Sequence, residues 1–128
     1  MNDNKEISVL YFNTRDELIR VDLRKVGFFK ADRNYTDVHF LNNHRVTLPT
    51  NLMSIEKMLD DDRMRGRTIP FVRIGRSVIV NLSHIIHINV PKQELVLSDM
   101  TSPCILKVEV NKEALRKLKD LYIANKNK

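Results

Sequence analysis

Hydrophobic and polar positions along this chain mostly follow the two-residue period of strands, and in two places they change to a helical period. Segments 7–12, 18–21 and 26–31 are short runs rich in β-branched and aromatic residues, each closed by a polar cluster, which predicts three strands. Segment 36–41 roughly alternates, as a half-buried strand does, and Asn42 with Asn43 supplies a turn before 44–48 completes a hairpin. The pattern then becomes helical over 51–60. Thr50 or Asn51 can cap this helix, and Leu52, Ile55, Met58 and Leu59 fall on one stripe. Asp60, Asp61 and Asp62 are expected to end it in a solvated, charged loop. Further strands are predicted at 69–74, 78–80, 85–90, 94–98 and 105–110. A second helix is predicted at 111–122, with Asn111 as cap and Leu115, Leu118 and Tyr122 as its apolar stripe. The fold class is therefore mainly β, with one central helix and one C-terminal helix. No internal repeat, linker or domain break interrupts the pattern.

Composition narrows the function classes. The 128 residues suit one domain, and 42% hydrophobic content is enough for an ordinary core. Three glycines, four prolines and no tryptophan exclude a low-complexity chain or a Gly-rich phosphate loop. No apolar run approaches the ~18–20 residues of a membrane span. The polar start at 1–6 has no apolar stretch behind it, so no signal peptide is expected. The single Cys104 excludes an intrachain disulfide and a Cys-based zinc cluster. These features fit a cytoplasmic protein without a membrane partner. The net charge of +6 and pI near 9.6 hint at a polyanionic partner. The positive excess lies in 21–50, 71–100 and 101–128, three stretches that one folded face could gather. Charge alone is equally compatible with a generic basic surface.

The chemistry concentrates at 73–81. Arg73, Arg76 and Ser77 precede a β-branched run that ends in Asn81, placing guanidinium forks beside a stiff strand. Such forks suit phosphate or the guanine edge. On a flat strand, side chains three apart point to opposite faces, so Arg73 and Arg76 cannot both read bases. Gly75 permits a bend that turns Arg76 outward. Arg76 is then the expected base or phosphate contact, while Arg73 pairs with a carboxylate or meets backbone phosphate. Arg33, Asn34 and Tyr35 form a second candidate group. Arg forks onto guanine, Asn pairs with adenine, and Tyr donates to phosphate, although the same residues also serve simple turn chemistry.

Phe71, Arg73, Arg76, Ser77, Val80 and Asn81 together resemble the signature of the LytTR family of bacterial DNA-binding domains, with Gly75 where that family often has His. The likeness extends from about Val21 to Leu121. Phe28, Phe29, Asn34 and Tyr35 resemble the family's apolar strand and loop, with Lys30 at a position often acidic. Asn81 and Ile85 resemble its continuation. The resemblance implies an elongated, mostly antiparallel β fold whose edge loops enter successive major grooves. It also implies a transcriptional regulator without catalysis, cofactor or metal. Double-stranded DNA is the expected partner, with two copies on paired direct repeats. Phosphate contacts are expected from Lys30, Arg33, Arg73 and Lys107, and base contacts from Asn34, Tyr35 and Arg76. Residues 1–20 are expected to form an extension packed on or beside the domain at 21–122, with 123–128 a disordered tail.

Two departures qualify the likeness. Response regulators of the family carry a receiver domain, and the roughly twenty residues before the match are too few for one, so phosphorylation sensing in cis is not expected. Glu109 stands near the position of an expected Arg, and a carboxylate there repels phosphate, which leaves the 107–111 loop the least secure contact. Gly75 and Glu109 motivate one rival, a protein-interaction module that kept the fold and lost DNA binding. A second rival is an RNA-binding or nucleolytic protein using His39 or His87. It lacks an evident aromatic stacking platform and an organised carboxylate. Lys112, Arg116 and Lys119 form a basic stripe on the second helix, which suits phosphates or simple solvation.

Overall fold

A computed structural model describes residues 9–64, 66, 70–101 and 103–126. Its strands are β1 Val9–Asn13, β2 Leu18–Asp22, β3 Val26–Asp32, β4 Tyr35–Phe40 and β5 Arg45–Leu48, followed by helix α1 Leu52–Met64. Strands β6 Phe71–Ile74, β7 Val78–Asn81, β8 Ile85–Asn89, β9 Glu94–Leu97 and β10 Leu106–Glu109 then lead to helix α2 Lys112–Lys126. The strands form three antiparallel sheets: β1-β2, β10-β9-β8 and a central β5-β4-β3-β7-β6. The mainly β expectation with two helices holds. Positions 7, 8 and 69, expected as strand, lie outside the described residues.

The central sheet is covered on both faces, and β3 shows how. Phe29 joins Val38, Leu48, Ile55, Leu59, Phe71 and Ile79 on the α1 side. Phe28 joins Val78, Val80, Leu95, Leu106 and Leu115 on the other side, under the three-stranded sheet and α2. Adjacent residues on one strand thus feed opposite cores, as the pleat requires. Fully burying each such side chain contributes about 1.5–3 kcal/mol. The β1–β2 hairpin adds Phe12 and Val21 to the α1-side core, with Leu10 and Ile19 packed against the same cluster.

Two elements run past their expected ends. α1 continues through Asp60, Asp61 and Asp62 to Met64, and Asp62 is only 5% exposed. The expected loop is therefore helix, with Asp60 and Asp61 exposed and Asp62 buried. α2 continues to Lys126, so 123–126 are helical rather than a tail. Ala124 is the best helix former of all residue types, which favours continuing the helix past its apolar stripe.

One local device appears twice. Asp22 accepts from the Arg24 backbone N–H and caps a short 3₁₀ turn, Leu23–Lys25, before β3. Asn81 accepts from the Ser83 N–H at 2.9 Å and caps Leu82–His84 before β8. Both caps have nearly the same backbone, φ −82° and ψ 107° against φ −85° and ψ 107°. The aligned stretches Val21–Val26 and Val80–Ile85 share Val, Asp or Asn, and Leu at their first three places.

Candidate nucleic-acid interface

The strand register brings separate loops to one end of the central sheet. β3 pairs with β4 as far as Asp32 opposite Tyr35, leaving Arg33 and Asn34 as the turn. β3 also pairs with β7, Lys30 opposite Val78, and the Ala31 N–H donates to the Ser77 carbonyl at 2.8 Å. The Gly75–Arg76–Ser77 turn between β6 and β7 therefore lies beside the Arg33–Asn34 turn. Thr36 opposes Leu48, and its buried hydroxyl donates to the Thr50 carbonyl at 2.9 Å, so the start of α1 lies at the same end. Asn51 caps that helix by accepting from the Ser54 N–H. The positive end of the helix dipole adds to the cationic field there.

The 73–81 stretch is thus a hairpin rather than one strand. Gly75 has φ +64°, in the left-handed region where a Cβ is costly, and it reverses the chain. The turn carries Arg76 out to solvent, as expected. Arg73 takes the carboxylate alternative. Its Nη1 donates to Glu56 Oε1 on α1 at 2.9 Å, and its Nη2 donates to the Arg76 carbonyl at 2.6 Å. One guanidinium thereby ties the hairpin tip to the helix behind it.

Lys30, Arg33, Asn34 and Tyr35 are all exposed, with Tyr35 at 53%. Arg33 itself has φ +59°, so the turn is built on a left-handed residue other than glycine. Among the described residues, the side chains of Lys30, Arg33, Arg76 and Lys107 make no hydrogen bond or ion pair. Cations left unpaired keep their donors for an anionic ligand.

Lys107 stands apart from the two tips. It lies on β10 opposite Val96 and shares a shallow groove with Lys92, Glu94 and Glu109. Chain continuity still brings its neighbourhood toward the tips. Asn111 and Ala114, at the start of α2, line a cleft of about 260 Å³ with Gly75 and Arg73. Glu109 is exposed and directly opposite Glu94, a like-charge pair across the strands.

Asn81 has a structural task. Besides its cap, its Nδ2 donates to the Val26 carbonyl at 2.9 Å in a buried setting, joining β7 to the start of β3. His39 stacks on Phe28 with ring centroids 4.3 Å apart, and burial holds its pKa below the usual value of 6.5. His87 is exposed on β8. Among the described residues, no group of three or more His, Cys, Asp or Glu side chains is placed to hold a metal. No helix among them is long and apolar enough to cross a membrane.

The fold and its edge loops define a DNA-binding domain of the LytTR type. The family model for the LytTr DNA-binding domain matches residues 16–122, and the chain belongs to that family. A solved structure is similar over nearly the whole chain: the LytTr DNA-binding domain of a protein described as a methyl-accepting/DNA response regulator from Bacillus cereus. It is 27% identical, with a TM-score of 0.60, over 89% of this chain and 95% of that one. No curated protein matches the chain.

Proposed function

We propose that this protein binds double-stranded DNA sequence-specifically as a cytoplasmic bacterial transcriptional regulator and performs no catalysis. The observation that carries this reading is the pair of hairpin tips, Arg33–Asn34 and Gly75–Ser77, side by side with unpaired cations pointing outward. Arg76, Asn34 and Tyr35 read base edges, and Lys30, Arg33 and Lys107 meet phosphates. Arg73 acts through its neighbour, holding the Arg76 turn against Glu56. Two copies on paired direct repeats complete the assembly.

Selection from a pool of random duplexes tests the proposal. Recovered sequences should share a motif and shift the protein in the presence of excess random competitor. A pool without enrichment would refute it. Glu109 beside Lys107 supports the rival protein-interaction reading, which gains only if duplex binding is absent altogether.

A further inference from the structure

We propose that the groove between β8 and α2 seats a backbone phosphate of the duplex beyond the part read by the hairpin tips, a role that rests on the DNA-binding reading above. The groove encloses about 670 Å³ and is lined by His87, Pro91, Arg116, Lys119 and Asp120, among others. Arg116 and Lys119 lie three apart on α2, adjacent on the helix surface, and His87 faces them from β8. All three are exposed, and among the described residues their side chains make no hydrogen bond or ion pair. Two permanent cations and a ring N–H donor against the single carboxylate of Asp120 leave the groove electropositive. Its residues can offer a guanidinium fork, an ammonium and an imidazole donor to one anionic group.

The position of the groove selects the ligand. Pro91 belongs to the β8–β9 turn, whose Gln93 carbonyl accepts from the Val110 N–H at 3.0 Å. The next residue, Asn111, lines the cleft shared with Gly75. The mouth of the groove therefore continues the end of the molecule that carries Arg76. A duplex docked on the tips extends a regularly spaced row of phosphates past that end, and the groove meets the row. Its polar cations hold backbone without reading sequence.

The test compares two duplexes: the site recovered by selection, and the same site extended by about 10 bp, one helical turn, at each end. Affinity is measured across a salt series. The wild type should bind the longer duplex more tightly and with a steeper salt dependence. The double variant Arg116→Ala/Lys119→Ala should lose that difference, flattening the slope by about one unit on the long duplex, since the one phosphate seated in the groove contributes about 0.9. It should match the wild type on the short duplex, and Arg116→Lys/Lys119→Arg should retain the difference. Wild-type behaviour of the alanine variant on both lengths would overturn the groove, as would an equal loss on both. If Arg76→Ala abolishes sequence preference while the groove variant changes nothing, only the groove fails. If neither duplex binds, the groove fails together with the DNA-binding reading.

Discussion

Arg76 and Arg73 are three residues apart and do different work. Arg76 sits on the turn with free donors, so Arg76→Ala should cost about 1–3 kcal/mol of discrimination between the preferred and random duplexes while changing nonspecific affinity little. Competition binding checks this, and equal losses on both duplexes would show a phosphate contact only. Arg73 touches Glu56 and the Arg76 carbonyl, so Glu56→Gln, which removes the charge and leaves Arg76 in place, should weaken specific binding by a smaller amount. An unchanged preference in Glu56→Gln would show that the tip holds itself. The sequence made this division partly legible. Spacing alone says the two side chains diverge, and Gly75 says where the chain bends. The identity of the carboxylate was not legible, because Glu56 is 17 residues away on another element and only the tertiary fold brings it near.

At the scale of elements, the change between a period of two and a helical period located both helices and nearly every strand. Helix ends were harder to read, since a run such as Asp60 to Asp62 looks solvated until packing buries Asp62. The bulge between Val26 and Phe28 was also hidden. Gly27 sits there because a Cβ would run into Leu106 Cδ1 and approach the His39 carbonyl at 3.4 Å. Gly27→Ala should destabilise by about 1–3 kcal/mol through overpacking, seen as a lower midpoint in urea. The two capped 3₁₀ turns offer a sharper comparison. Asp22→Ala removes a cap and an exposed pair with Arg24, worth about 1 kcal/mol together. Asn81→Ala removes a cap and leaves the buried Val26 carbonyl without its donor, adding about 1–3 kcal/mol. Urea titration should therefore rank Asn81→Ala as the more damaging change. The reverse order would mean that Asn81 serves binding more than folding.

At the scale of the whole molecule, acid and salt test separate parts of the structure. His39 binds its proton less readily folded than unfolded, through burial against Phe28 first, with Arg45 and Lys30 adding to the effect and Asp37 opposing it. The unfolded chain then takes up more protons just below pH 6.5, so stability should fall as pH drops from there toward the lowered folded value. His39→Gln should flatten that window in a series of thermal melts. The Asp22 carboxyl is held below its usual 3.8 by the Arg24 hydrogen bond, so its contribution is present above that value and is lost at still lower pH. Salt acts on the other end of the problem. The sequence placed its positive excess in three stretches, and the register gathers the first two as adjacent hairpin tips, with Lys107 to one side. If the gathered cations neutralise roughly four to six phosphates, log K should fall against log salt with a slope of about −4 to −5 for one bound copy on a duplex limited to the site. Lys30→Ala, beside both tips, should flatten the slope by about one unit and leave the preferred sequence unchanged. Lys107→Ala should do the same only if the β10 end reaches the backbone. Glu109→Gln should then tighten binding, because it removes a carboxylate from that contact. An affinity that barely responds to salt would mean the tips do not face DNA, whatever the fold they stand on.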